Sequence, residues 1–538
     1  MLRMVALAGL ASALPCSVML AQDLSFIQMP LDASPRDLLH NPISNKLYAA
    51  NTPQPGAPSA DSVTIINSET NAIITILSMA TGPRDFCLNT QSNEVYVANY
   101  FADSVTVIDG VTDSILAVIP VGDGPRALCF NPQDNRIYCA NEFSNNVTVI
   151  DGASRSVVAS VGVGSTPRVI CYNQIANKVY CPNAGSHSVS VISGSTNALI
   201  ATVPVGTIPR GIVFNPQNNA VYCSNYGSDT VSVIDGVSNA VIATVSVGDG
   251  PTALGHNPVG NKVYVSNVGA PGPGTPSACS VSVISGVSHA VIKTLVAGDE
   301  PTAFSYSGND GNMYWVNEWS HSLAVVDAAT DTQTGLLSLG TGQVQPVDIA
   351  YNSLRGTIYT ANRMTYTIGV VTTATRATPF CSGDGTLTVA CPCGNNGNVG
   401  RGCANSQPGS PGAQLSSTGS ALVDTLSLQA SDMLPTATAI FLQGNLSSAG
   451  LTFGDGVRCT GGTLRRLAVK TSEGGSAMFP DAGSGDSSIR ARSTALGDPI
   501  TFGNVRSYQT YYRDPNPGFC PAPAGNTFNI TNGLIVQW

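Results

Sequence analysis

Five arginines each follow a proline: Arg36, Arg84, Arg126, Arg168 and Arg210 come directly after Pro35, Pro83, Pro125, Pro167 and Pro209. Asp37, Asp85 and Asp348 stand one position later in the same frame. A guanidinium is a planar, permanently charged donor that clasps a carboxylate or phosphate through two bonds, each contributing roughly 1.5–3 kcal/mol. Brought to one surface, these residues would form a basic arc beside an acidic edge, a site for an anion. The competing reading is structural, because repeats copy bracing residues along with the fold. Each arginine would then hold a neighbouring unit through a carbonyl or an aspartate.

No other constellation suggests chemistry. The chain has no G-x-S-x-G elbow, H-E-x-x-H pair, phosphate loop or C-x-x-C-H haem site. His40 and His256 occupy the place held by Phe130, Tyr172 and Phe214 in other units, which marks them as core rings rather than bases or ligands. His187, His289 and His321 fall near strand edges or turns, and the Asp-Gly pairs read as hairpin turns rather than calcium sites. The sequence therefore identifies no catalytic residue, metal site or cofactor. Aromatics at Tyr100, Phe143, Tyr226, Trp315 and Trp319 gather near second-strand ends, where rings stack on sugars or on a partner.

The arginines are positioned by a repeat. Eight prolines (35, 83, 125, 167, 209, 251, 301 and 346) open units about 42 to 50 residues long. Thirteen residues after each comes a tyrosine, from Tyr48 to Tyr359, and three further an asparagine, from Asn51 to Asn362. Each unit carries four short strand signals, as at 126–130, 136–140, 147–150 and 156–163, separated by turns such as Asp151-Gly152. A four-stranded antiparallel unit of roughly 40–45 residues is a propeller blade. The repeated tyrosine is expected to fill the gap between blades. The asparagine is expected to secure a turn by bonding backbone. Segment 24–31 is an orphan fourth strand, and the eighth unit supplies only three. The expected fold is all-β: an eight-bladed propeller closed by the N-terminal strand, with seven blades and one irregular unit as the alternative.

The units read Tyr-Val-Ala-Asn, Tyr-Cys-Ala-Asn or Tyr-Val-Ser-Asn, followed by Ser-Val-Thr-Val-Ile-Asp-Gly. They resemble the YVTN-type β-propeller repeats over residues 24–372. That resemblance implies a family with cell-surface and surface-layer members, and with lactonases and lyases among related propellers. Fold alone does not fix function.

Composition narrows the field. Charged residues make up 11% of the chain and the net charge is −9, so the Lys/Arg surplus that nucleic-acid binding needs is absent. Arg3 and the apolar run 5–14 read as an export signal over residues 1–21, too short to span a bilayer. Pro15, directly before it, disfavours Cys16 as a lipidation site. No transmembrane span is expected in the mature chain, which would be secreted, extracellular or at the cell surface, or periplasmic.

Cysteines support that compartment. Cys87, Cys129 and Cys171 lie four residues after their prolines, and Cys139, Cys181 and Cys223 fourteen after theirs. Pairing across neighbouring blades uses all six, as Cys87–Cys139, Cys129–Cys181 and Cys171–Cys223. Alternatively, the six thiols fill equivalent core sites in copied repeats. Cys279, at the end of an insertion over 270–278, has no evident partner. Beyond residue 380, Cys381, Cys391, Cys393 and Cys403 with Cys459 and Cys520 form a set of six without zinc-ribbon spacing, read as disulfides with Cys459–Cys520 as one bridge.

The expected domains are the propeller over 22–380, a Cys/Gly-rich segment and linker over 381–413, and a small disulfide-stapled, sandwich-like β domain over 414–538. Gly454-Asp455-Gly456-Val457-Arg458-Cys459 and Tyr512-Arg513-Asp514-Pro515 in that last part resemble a C-terminal module of secreted bacterial proteins. The functional expectation is a non-catalytic binding or scaffold protein for an extracellular protein, glycan or small anion. The alternative is a propeller lactonase, lyase or hydrolase.

Overall fold

The computed structural model describes residues 23–30, 33–53, 61–269 and 279–373, and the region from 378 onward apart from 388, 393, 419–420, 422–423, 425, 454, 502–503 and 517–527. The export signal, Cys16, Cys393 and Cys520 lie outside the described residues.

Seven of the eight prolines open the innermost strand of a four-stranded antiparallel sheet, and in blade 4 that strand begins at Cys171. Blade 3 shows the plan: Pro125–Asn131, Arg136–Asn141, Asn146–Asp151 and Ser156–Gly162, paired in sequence order. The two middle strands are apolar at nearly every position because both sheet faces are covered. Tyr138, Ala140, Val147 and Val149 of blade 3 share one apolar cluster with Val179 and Ile192 of blade 4. A lone sheet of this size would leave both faces wet. Among the described residues eight such sheets are present, which excludes the seven-bladed alternative. Asp23–Gln28 pairs antiparallel with Thr367–Thr372 and completes the eighth sheet, so the N-terminal strand latches the ring.

Polar side chains seal the gaps between blades. Six residues after the opening proline, Asn41, Asn89, Asn131, Asn173 and Asn215 each donate to the side chain of an asparagine in the next blade, at 2.7–2.9 Å. Those acceptors, Asn93, Asn135, Asn177, Asn219 and Asn261, sit at φ between 49° and 54°. Asparagine tolerates this left-handed conformation better than other side-chain-bearing residues. The repeated tyrosine works at the same seam: Tyr138 Oη donates to Asn197 Oδ1 at 2.7 Å, and Tyr180 Oη to Asn239 Oδ1 at 3.1 Å. The repeated second-strand asparagine stays within its own blade. It binds hydroxyls of the third strand, not turn backbone as expected: Asn99 to Ser104 and Thr106, Asn225 to Thr230 and Ser232.

The six propeller cysteines are free thiols, which corrects the inter-blade disulfide reading. Each expected pair does share one inter-blade cluster: Cys87 with Cys139, Cys129 with Cys181, Cys171 with Cys223. In every pair, however, one thiol is on an innermost strand and the other on the second strand of the next blade. Cys139 Sγ turns instead to Asn141 Oδ1 at 3.3 Å. Burial pushes the Cys181 thiol up to about 12, so it behaves as a small apolar side chain. Cys279 is buried, its sulfur 3.2 Å from the Val268 carbonyl.

The C-terminal part is a two-layer sandwich. One layer holds Thr378–Phe380, Gly533–Gln537, Val505–Arg513, Thr438–Gly444 and Arg465–Thr471, with Phe528–Ile530 alongside. The other holds Gln414–Thr418, Ser427–Ser431 and Ala477–Phe479. Phe441, Tyr508, Leu534 and Val536 face Leu415, Leu428 and Phe479 in one core. Two expectations change here. Cys459 is bonded to Cys381 rather than Cys520, and Cys391 to Cys403, because the hairpin carrying Val457 and Cys459 packs on the segment after Phe380. Residues 381–413 are likewise no free linker. Cys403 and Ala413 are fully buried, and Asn405 Nδ2 donates to the Tyr512 hydroxyl at 3.2 Å.

Two outcomes follow. Alkylation in denaturant followed by non-reducing peptide mapping should recover Cys87, Cys129, Cys139, Cys171, Cys181 and Cys223 as alkylated thiols, with Cys381–Cys459 and Cys391–Cys403 linked. Deleting residues 23–28 removes Ile27 from the core and bares an edge of the eighth blade. Calorimetry should show a Tm fall of at least about 5 °C.

Candidate binding site at the channel mouth

The site begins with a backbone irregularity. In six blades the ladder between the first two strands slips between the proline and the residue two later, as between Pro125 and Ala127. The residue between them has no ladder partner. A bulge of this kind re-aims the side chain it carries, and in four of the six blades that residue is Arg36, Arg84, Arg126 or Arg210, with Thr302 and Val347 in the other two. In blade 4 the regular strand starts only at Cys171, and Arg168 follows the isolated bridge Pro167–Asn183.

All eight residues singled out from the sequence line the central channel. Arg36, Asp37, Arg84, Asp85, Arg126, Arg168 and Asp348 line a cavity of about 400 Å³ together with Arg363. A second cavity of about 580 Å³ shares Asp85, Arg126 and Arg168 with the first and adds Arg210. The two cavities thus adjoin along a common wall.

The arginines divide into two kinds. Arg126 Nη1 lies 2.7 Å from Glu142 Oε2, and Arg168 Nε lies 2.8 Å from Glu142 Oε1. The Tyr100 hydroxyl donates to the same carboxylate at 2.8 Å. Burial works against the Glu142 charge, but Tyr100 and the two guanidiniums outweigh it and hold the carboxyl below its usual range. These two arginines therefore brace blades 3 and 4. Arg36, Arg84 and Arg210 have no carboxylate within ion-pair distance among the described residues. Arg84 lies 4.8 Å over the Tyr100 ring and Arg210 3.6 Å over the Tyr226 ring. The Nε atoms of Arg36 and Arg210 are buried without a hydrogen-bond partner. Burial lowers the Arg84 pKa, and repulsion from Arg126 and Arg36 adds to it. At Arg36 burial acts first and Arg363 second, with Glu318 opposing them.

The acids do more structural work. Asp348 Oδ2 accepts the Leu38 N–H at 2.8 Å, and Asp85 Oδ2 accepts the Leu128 N–H at 2.6 Å, each stapling its inner strand to the next blade. Asp37 does the same with the Phe86 backbone. The staples run through three consecutive blades, where other blades carry Ala127, Val169, Gly211, Ala253 and Ala303. Asp37 and Asp348 are also hydrogen-bonded to one another. Burial, and then the Asp348 charge, drive the Asp37 pKa well above the carboxylate range, so this pair shares a proton.

Four members of the site were not singled out from the sequence: Glu142, Glu318, Arg363 and Phe101. Arg363 pairs with Glu318 at 3.2 Å and donates to Gln345 Oε1 at 2.6 Å. The first three occupy the position after the repeated asparagine, which runs Thr52, Tyr100, Glu142, Ala184, Tyr226, Val268, Glu318 and Arg363 around the ring. Tabulating that position would have found them. Of the aromatics, Trp315 is buried in the core. Burial lowers His40 to about 4 and also lowers His256, so both are neutral rings near pH 7. Among the described residues no group of three His, Cys, Asp or Glu is arranged to hold a metal, and no helix is long and apolar enough to cross a membrane.

A family model described as "Lactonase, 7-bladed beta-propeller" matches residues 111–240, a stretch that contains Arg126, Glu142, Arg168 and Arg210. The match covers part of the ring, and this ring has eight blades where the description has seven. Among solved structures, the chain is similar to Kuenenia stuttgartiensis hydrazine synthase at 17% identity and a TM-score of 0.44, over 56% of this chain and 97% of that one. No curated protein matches the sequence.

The acid staples give the propeller a defined pH response. Burial raises Asp85 from 3.8 to about 7. Between those values the folded protein holds a proton that the unfolded chain has released, so stability falls as pH rises from about 4 to about 7. Asp85→Asn keeps an acceptor for Leu128 and removes the titration. Thermal unfolding across this range should give a flatter Tm profile for the variant than for the parent.

Proposed function

We propose that this chain is an extracellular binding protein whose propeller holds an anionic ligand, a carboxylate or phosphate, in the arginine-lined mouth of its channel. The observation that carries this reading is the trio Arg36, Arg84 and Arg210 at the cavity wall, none within ion-pair distance of a carboxylate among the described residues, with Arg36 and Arg210 each burying an unpartnered Nε. Uncompensated, partly buried charge is costly, and an entering anion relieves both desolvation and mutual repulsion. The two disulfides suit an oxidising compartment.

A second reading has its own support. The partial likeness to a lactonase family and the proton-sharing pair Asp37–Asp348 beside Arg84 fit hydrolysis of a lactone. One carboxylate would accept a proton from the attacking water, and the arginines would hold the carboxylate product.

One incubation separates the two: the full chain with inorganic phosphate, citrate and a lactone panel, scored for retention and for mass. Retention without mass change supports binding, and addition of one water to a lactone supports the hydrolase. Arg84→Ala should weaken anion retention about tenfold or more without lowering Tm, because it packs on a ring face and forms no ion pair within bonding distance. A fall in Tm with unchanged retention would assign Arg84 to bracing alone.

A further inference from the structure

The mouth carries a second feature that anion capture alone does not require. Phe101 and Phe143 stand two residues after the repeated asparagine of blades 2 and 3, and remain 66% and 57% exposed. They are not loose side chains. A Cβ on Gly82 would come within 2.7 Å of the Phe101 ring, and one on Gly124 within 2.7 Å of the Phe143 ring. Both glycines have positive φ, 77° and 68°. Each ring thus lies against glycine backbone and turns its other side to solvent. Tyr100 links the two, with ring centroids 4.9 Å from Phe101 and 5.7 Å from Phe143. The same Tyr100 ring receives Arg84 at 4.8 Å and Arg126 at 6.0 Å. A continuous aromatic shelf therefore borders the arginine arc on one side of the channel.

We infer that the ligand is an acidic carbohydrate, a chain of uronic-acid units whose ring faces stack on Phe101 and Phe143 while a carboxylate reaches Arg84. This rests on the anion reading above and names its substrate class. Sugar rings present flat C–H faces that suit an open aromatic face, and uronates add the charge that the arginines lack. An acidic peptide fits less well. It would need backbone partners, and those at the shelf are taken: Tyr100 N–H by Gly82, Phe101 N–H by Thr81, Glu142 N–H by Gly124 and Phe143 N–H by Asp123.

The test titrates the full chain with a galacturonic-acid oligomer, its methyl-esterified form, inorganic phosphate and a poly-glutamate peptide. Phe101→Ala and Phe143→Ala, singly and together, are the variants, since exposed rings are removable without unfolding the blade. The acidic oligomer should bind, and esterification should abolish binding. Each single variant should weaken the oligomer about fivefold to tenfold and leave phosphate unchanged. Phosphate binding with an oligomer indifferent to both phenylalanines would overturn the sugar assignment and leave the anion site standing. Poly-glutamate binding that depends on the phenylalanines would replace the glycan by a peptide. If neither phosphate nor oligomer binds the parent protein, the anion reading falls and this inference with it.

Discussion

Neighbouring blades meet across an apolar gap that polar side chains close, and the remainder of the ring accommodates that contact. Valine, isoleucine and tyrosine from two sheets fill the gap, as Tyr138 and Val149 do with Val179 and Ile192. Asparagine-to-asparagine bonds fix the first hairpins of successive blades, with the acceptor held in a left-handed turn. Since neither face of a blade is buried without a neighbour, the ring tolerates no gap. The N-terminal strand must return to the last blade for the same reason. At the channel end, the aspartate staples do similar work in three consecutive blades, at the cost of bringing carboxyl groups out of water.

This contact separates structural from functional positions. Tyrosine thirteen residues after the proline and asparagine sixteen after it are identical in all eight units, because every inter-blade gap makes the same demand. The positions one and two after the proline, and one and two after the asparagine, escape it. There the ring loses its symmetry: arginines in blades 1 to 5, aspartates in blades 8, 1 and 2, exposed phenylalanines in blades 2 and 3. Some of these departures still serve the fold, as the aspartate staples and the Glu142-paired arginines do; the rest, Arg36, Arg84, Arg210 and the two phenylalanines, stand outside any bracing contact between carboxylate and guanidinium.

The same logic explains what could be read from the sequence. Blade number, strand order and closure were legible because proline, tyrosine and asparagine recur at fixed intervals and because one orphan N-terminal strand matched a last unit of only three. The arginine arc was legible for the same reason. Its division into braced and unpaired members was not, since that depends on Glu142, one residue in one blade that reaches two arginines at once. The cysteine reading identified the right neighbours but the wrong bond. Fixed spacing shows that two residues share a gap, whereas a disulfide also demands that both sulfurs lie at one depth. In the C-terminal sandwich no repeat exists, and the partner of Cys459 was set by how its hairpin packs on the segment after Phe380.

The electrostatics of the mouth follow from these parts taken together. The chain as a whole is acidic, with a net charge of −9, yet the channel entrance is not. An acidic arc beside an arginine arc would ordinarily cancel it and leave nothing for a ligand. Here the aspartates are spent on backbone N–H groups, and Asp37 is held neutral by burial and by Asp348, so they offer the arginines little countercharge. Glu142 pairs with two guanidiniums and Glu318 with a third, which leaves Arg36, Arg84 and Arg210 as arginines of the mouth with no carboxylate at ion-pair distance among the described residues. Low surrounding polarity strengthens the pull of those groups on an anion, and the acidic exterior disfavours anions elsewhere on the molecule. The staples that hold three blades together are thus also what keeps the arginines available.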